Sequence, residues 1–323
     1  MRIGYKLATE GFGPMELIRQ AVLAEQAGFD FVAMSDHYHP CVEAQGHSAF
    51  TWNLLSAIAM KTDRIGLATG VTCPSMRYHP AIIAQAAATL AIISDGRFTL
   101  GVGAGERLNE HVTGEGFPAR RVRHERFREA LEIIRLLWRG GYRSYDGRYL
   151  KHEDARVFDL PEELPVIAVA ASGPESAKVA AELGDGLFAV EPDADLVGTW
   201  HGLGGHGPAY GEMPLAWADD DDTAVAAVLE KNAFALSGWK VMAELPNPAN
   251  FESVTALVTP DQVRGQFACG PDPKRHLEVA REFARAGFDH LVAMNAGPDP
   301  DGFMDFFARE LAAPLRALTP AAA

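Results

Sequence analysis

Phe98-Thr-Leu-Gly-Val-Gly-Ala-Gly-Glu-Arg-Leu-Asn109 is the stretch whose reading decides the fold of this chain. Phe98, Leu100 and Val102 alternate as a short buried strand, and Gly101, Gly103 and Gly105 follow one another at two-residue spacing. Glycines at the C-terminal end of a strand let something flat lie against the backbone. A dinucleotide fingerprint does not fit, because its third glycine belongs at position 106 and Glu106 stands there. A carboxylate is a poor neighbour for a pyrophosphate and a useful one for moving protons. The stretch reads as a flat-ligand site with an acid in it.

On either side, strand-like and helix-like segments alternate. Strands are expected at Arg2–Ala8, Asp30–Asp36, Ile65–Thr72, Phe98–Gly105, Val166–Ala171, Gly186–Glu191, Pro214–Ala218 and His290–Asn295. Helices are expected at Pro14–Ala27, Ser48–Lys61, Pro80–Ile93, Arg121–Arg139, Ser176–Leu183, Asp222–Phe234, His276–Ala286 and Gly302–Ala313, several of them opened by proline or closed by glycine. Most strands are followed by a helix, which is the pattern of a (β/α)8 TIM barrel. A doubly wound open sheet wants a phosphate fingerprint after its first strand, and Thr9-Glu-Gly-Phe-Gly13 is not one. The whole chain, 1–323, reads as one barrel domain with insertions at about 107–120, 140–165 and 235–273. Thr199–Tyr210 is rich in Gly and His where a sixth helix belongs, so that helix is expected to be short or missing.

With 48% apolar and 22% charged residues in 323, the chain can bury a full core. A formal charge of −14 argues against nucleic-acid or acidic-membrane partners. Cys41, Cys73 and Cys269 are far apart and odd in number, so neither a disulfide framework nor a zinc knuckle follows. The N-terminus opens directly on a strand pattern without a leader, and a reducing cytoplasm is the expected compartment.

In a barrel the C-terminal ends of the strands meet at one face, where catalytic side chains gather. Those ends carry Glu10, Asp36, His37, Gly70, Val71, Thr72, Glu106, Asn109, Ser172, Gly173 and Glu191. An imidazole beside several carboxylates is suited to proton transfer near neutral pH. His37-Tyr-His39 also resembles the paired imidazoles of metal-dependent hydrolases, but the expected strands at 166–171 and 186–190 supply no further histidine, so no metal site is expected. Ser172-Gly-Pro-Glu-Ser176, at a helix start, offers free N–H groups to a phosphate. Arg77 could serve a phosphate or an interface.

Three blocks, Ser35-Asp-His-Tyr-His-Pro40, Thr72-Cys-Pro-Ser-Met-Arg-Tyr-His-Pro-Ala-Ile-Ile-Ala-Gln85 and Gly101-Val-Gly-Ala-Gly-Glu-Arg-Leu-Asn-Glu110, resemble the luciferase-like barrel enzymes that use the deazaflavin coenzyme F420. Dehydrogenases of glucose 6-phosphate and of secondary alcohols are among them. The resemblance implies hydride transfer between a deazaflavin and an alcohol or carbonyl carbon, and a homodimer. It implies that Asp36 hydrogen-bonds the deazaflavin, that His37 is the base, and that Glu106 is its acid partner, with Glu10 lining the site. Gly70–Val71 would form a bulge with a non-proline cis peptide against the ring. Thr72 and Asn109 would hold the ring or ribityl chain, and Ser172 and Gly173 the phosphate tail.

The chain departs from the family pattern where substrate binds. Cys41 stands in place of a tryptophan. Val190, Asp193 and Gln266 occupy the positions aligned with sugar-phosphate ligands, leaving Lys240 as one surviving cation. Glu191 and Asp193 would repel a phosphate dianion, so a non-phosphorylated small-molecule substrate is expected. The alternatives are a sugar-6-phosphate dehydrogenase using F420, an FMN-dependent luciferase-like monooxygenase, a metal-dependent hydrolase and a decayed binding barrel.

Overall fold

A computed structural model describes residues 1–321. Its barrel strands in chain order are β1 (Arg2–Leu7), β2 (Phe31–Met34), β3 (Gly66–Thr69) and β4 (Phe98–Val102). A two-stranded hairpin follows, β5 (Arg143–Asp146) with β6 (Lys151–Ala155). The barrel then continues through β7 (Val166–Ala170), β8 (Gly186–Ala189), β9 (Ala209–Ala216), the two-residue β10 (Ala268–Cys269) and β11 (His290–Asn295). Every pairing in the large sheet is parallel. The order runs β9-β11-β1-β2-β3-β4-β7-β8, and Leu187–Ala189 pairs back onto Ala209–Gly211 to close the ring. The TIM barrel is therefore present, with β10 as an extra strand on β9.

Period-two alternation explains what each strand buries. On β1, Ile3, Tyr5 and Leu7 join the shell packed under the helices, while Gly4 and Lys6 face the barrel axis. The axis is filled by Phe31, Ala33, Ala68, Ala168, Phe188, Tyr210 and Val292. Phe31 has room only because Gly4 has no side chain: a Cβ there would sit 2.4 Å from its ring. Full burial of a side chain such as Leu100 contributes roughly 1.5–3 kcal/mol.

One expectation is revised. β9 begins at Ala209, not Pro214. Gly211, which reads as a breaker, is where the Phe283 ring packs against the strand, 2.4 Å from a would-be Cβ. The sixth helix is short, as expected, at Ala194–Gly202, and is started by the Asp193 side chain accepting from the Leu196 amide (3.0 Å). The 235–273 excursion carries short helices, Trp239–Met242, Pro248–Thr255 and Pro260–Gln266, leading into β10. Among the described residues, no helix is long and apolar enough to cross a membrane.

Candidate active site

The segments that follow β1, β2, β3 and β4 converge on a cavity of about 1930 Å³. It opens between the helix starting at Pro174, the helix Arg120–Leu137 and the excursion helices. At its inner end lies His37 between two carboxylates. Its Nε2 is 3.0 Å from Glu106 Oε1 and its Nδ1 3.3 Å from Glu10 Oε1, with the His39 carbonyl 3.2 Å from the same nitrogen. Both ring nitrogens thus face acceptors, an arrangement that imidazolium satisfies and neutral imidazole does not. Burial opposes the charge, yet Glu10 and Glu106 outweigh it and hold His37 protonated well above the ordinary histidine range. Burial also works against an ionised Glu10, and His37, the Ser35 hydroxyl and Lys6 reverse the balance, leaving its carboxyl below the usual range. Ser35 donates to Glu10 at 2.5 Å. The cluster stores one proton shared among three groups.

The bulge after β3 borders the same cavity. The Gly70–Val71 peptide bond is cis, as the resemblance implied. Gly70 donates to the Met34 carbonyl (2.7 Å), and its own carbonyl accepts from Lys6 Nζ (2.6 Å). The glycines at the end of β4 also make room for the protein itself. A Cβ at Gly101 would stand 1.9 Å from the Thr69 carbonyl oxygen, one at Gly103 3.0 Å from Val71, and one at Gly105 2.8 Å from Cys73 and Glu110. Part of the space they leave is taken by the protein's own bulge and loop, and Gly103 and Gly105 also border the cavity.

Asp36, Thr72 and Asn109 belong to one hydrogen-bonded group, of which Asp36 and Asn109 border the cavity. The Asp36 carboxylate is fully buried and accepts from the Thr72 hydroxyl (2.5 Å), Arg77 (2.9 Å) and the Tyr78 hydroxyl (3.0 Å). Its oxygens hold the shape of the bulge and the following loop. Thr72, spending its hydroxyl on Asp36, is 0% exposed. Asn109 donates to Glu106 (2.6 Å) and accepts from the Tyr38 amide (2.7 Å), so it orients the acid. Arg77 is drawn inward by Asp36, its side chain 7% exposed.

Glu110 lies at the edge of this network and is 3% exposed. Burial pushes its carboxyl up to about 7, with Arg77 pulling down and Asp36 and Glu106 pushing up. The folded chain therefore binds a proton that the unfolded chain releases near 4.5, so stability falls as pH rises from there through about 7. Glu110→Gln keeps the oxygen that accepts from the Arg77 amide (2.9 Å) and removes this loss. The variant is expected to gain up to about 3 kcal/mol on wild type between pH 5 and 8, read from melting temperatures across that range. Parallel curves contradict it.

The model of the luciferase-like monooxygenase family matches residues 1–200. This chain belongs to that family. It is 36% identical to an F420-dependent glucose-6-phosphate dehydrogenase of Beutenbergia cavernae, over 98% of each chain. It is also 36% identical to an F420-dependent hydroxymycolic acid dehydrogenase of Mycobacterium tuberculosis, over 97% of this chain and 88% of that one. Among solved structures, an F420-dependent secondary alcohol dehydrogenase in complex with an F420-acetone adduct superposes with a TM-score of 0.90. It is 28% identical and covers 97% of this chain and 98% of that one.

In this luciferase-like barrel, Glu10, His37, Gly70, Val71, Glu106, Ser172 and Gly173 all border the one cavity, as do Cys41, Glu191, Lys240 and Gln266. Asp193 does not: its carboxylate is spent capping a helix. Cys41 is buried against Leu108 and Phe251, and burial pushes its thiol up to about 11, which leaves it inert as a nucleophile. Sequence reasoning missed Lys6, Glu212 and the excursion's wall of Phe234, Trp239, Met242 and Phe251. The signal for Lys6 was a charge in the middle of an apolar strand, at a position whose parity faces inward. Arg120, His124 and Lys178 on the cavity rim were missed too; burial and the neighbouring Arg120 and Arg123 hold His124 below the ordinary histidine value.

Proposed function

We propose that this chain is an F420-dependent oxidoreductase that moves a hydride between the deazaflavin and the alcohol or carbonyl carbon of a non-phosphorylated substrate. The observation that carries it is His37 clamped between Glu10 and Glu106 in the cavity that the Gly70–Val71 bulge also borders. The cavity fits a long planar nucleotide with substrate beside it: about 1930 Å³ exceeds the roughly 300–1,000 Å³ of an ordinary small-ligand pocket. The bulge offers a flat wall at the inner end. The amides opening helix Pro174–Leu183, together with Arg120 and Lys178, offer an anion-binding outer end.

When bound, the deazaflavin supplies a two-electron hydride acceptor or donor. The residues supply the proton. In carbonyl reduction, His37 as imidazolium gives its proton to the developing alkoxide. In alcohol oxidation, it must first release that proton and then take the one on the hydroxyl. Glu10 and Glu106 keep the ring oriented and stabilise its charged form.

Two features of the outer wall support a non-phosphorylated substrate. Arg264 and Arg275 line the cavity but are paired with Asp222 (2.6 Å) and Asp221 (2.8 Å), and Glu191 adds a carboxylate to the lining. The excursion contributes an apolar side. The second reading, a sugar-6-phosphate dehydrogenase, is favoured by the names of several relatives. Fluorescence titration of the purified protein with F420 is expected to give micromolar or tighter binding, with FMN competing poorly. Turnover should favour secondary alcohols or ketones over glucose 6-phosphate. Preference for FMN or for the sugar phosphate overturns the corresponding part.

The homodimer is part of the same proposal. Helix Pro80–Ile93 exposes Ile82, Ile92 and Ile93, apolar side chains suited to a second copy. Light scattering at the mass of two chains is the expected result. The buried, unpaired cysteines suit a reducing cytoplasm.

A further inference from the structure

On the wall of the same cavity lies a second ion pair, outside the cluster of His37, Glu10 and Glu106. Lys6 on β1 and Glu212 on β9 point into the barrel from strands separated by β11, with side chains 9% and 15% exposed. Neither position is free to turn outward. Tyr5 and Leu7 beside Lys6, and Met213 beside Glu212, are committed to the outer shell. Lys6 Nζ is 2.6 Å from Glu212 Oε2 and 2.6 Å from the Gly70 carbonyl oxygen. A buried ammonium without a partner costs several kcal/mol, so Glu212 is what allows one to be kept here. What the ammonium reaches is the carbonyl of the bulge that borders the proposed deazaflavin site. Its charge is also felt by Glu10, the carboxylate beside His37.

We propose that Lys6, secured by Glu212, is a positioning residue for hydride transfer. Its ammonium fixes the Gly70 carbonyl, and with it the wall formed by Gly70 and Val71, and its positive charge, on the cavity that Glu10 and His37 also border, limits how tightly His37 holds its proton. The proposal rests on the deazaflavin reading for its first half and on the apo protein alone for its second. Lys6 acts through these groups and touches no reacting atom. The alternative is an ion pair that only fills the barrel.

The groups facing the proton cluster are few enough for a clean test. Glu10 meets Thr9, Ser35, His37 and Lys6; His37 meets Glu10, Glu106, Cys41 and the His39 carbonyl. The test compares wild type, Lys6→Met, Lys6→Arg and Glu212→Gln by two readouts. The first needs no cofactor: imidazole nitrogen NMR of His37, assigned by the signal lost in His37→Asn. In Lys6→Met a positive charge is lost beside the cluster, which favours protonation of both Glu10 and His37, and the His37 titration is expected to move to higher pH by about half a pH unit or more. Lys6→Arg is expected to restore most of that. Glu212→Gln removes the carboxylate that secures the ammonium, so melting temperature and turnover are expected to fall together.

The second readout is turnover with F420. Lys6→Met is expected to lose about tenfold or more in kcat, with the pH profile displaced in the same direction as the NMR titration. A Lys6→Met protein that melts earlier but keeps the wild-type His37 titration and pH profile overturns the proposal and leaves a structural pair. Wild type that binds no deazaflavin sinks the reading of function, and the NMR comparison still decides whether Lys6 governs the proton on His37.

Discussion

His37→Ala is expected to cut turnover by about a hundredfold or more while leaving deazaflavin affinity within a few fold. The ring that faces both Glu106 (3.0 Å) and Glu10 (3.3 Å) is the one group in the cluster able to pass a proton in either direction near neutral pH. Removing it leaves two carboxylates without the cation between them, and one must take up a proton in its place. Burial and packing change little, because the ring borders an open cavity. The loss should therefore fall on kcat and not on folding. Steady-state kinetics and a fluorescence titration separate the two, and near-normal turnover would show that the proton goes elsewhere.

Gly101→Ala is expected to be among the most damaging single methyls in the barrel. The added Cβ meets the Thr69 carbonyl oxygen at 1.9 Å, and the Thr69 hydroxyl in turn donates to the Gly101 carbonyl (2.7 Å). Backbone of β3 and β4 has to separate, against a core in which Leu100 and Val102 are 0% exposed. A loss of about 3 kcal/mol or more follows, with the Gly70–Val71 bulge displaced as well. Gly173→Ala is the control: its backbone is extended and a Cβ there meets nothing within 4 Å. Melting temperatures of the two variants should differ by several degrees, and equal values contradict this account of the glycines.

The same glycines show what could be read without coordinates. That Gly101, Gly103 and Gly105 mark a close approach was legible; that the approaching groups are the Thr69 carbonyl, Val71 and Cys73 was not, since they arrive from a different strand. Alternation along Phe98–Val102 and proline at the start of Pro80–Ile93 placed their elements closely, because local sterics and burial agree there. β9 was misplaced because Gly211 and Pro214 look like breakers to any local rule, and only the Phe283 ring explains the glycine.

At the site, residue types were legible and partners were not. A strand-end Asp, Thr and Asn all suggest contact with a ligand, but not that Asp36 and Thr72 bond each other or that Asn109 orients Glu106. Asp193 read as a wall of the pocket when it is a helix cap, a use of aspartate that competes with function at every helix start. Lys6 and Glu212 lie far apart in the chain and meet only through barrel closure.

The account turns on a proton held by His37 and exchanged with the hydroxyl of a substrate as hydride moves. The pH dependence of F420 reduction by a secondary alcohol, measured in wild type and in His37→Asn, tests it most directly. Because Glu10 and Glu106 keep His37 protonated above its ordinary range, the wild-type rate should rise as pH increases past neutrality and the ring is freed to act as base, whereas ketone reduction by reduced F420 should fall across the same interval. His37→Asn should be slow and flat in both directions. Alcohol oxidation that is fastest in acid, or a His37→Asn profile matching wild type, would contradict the account.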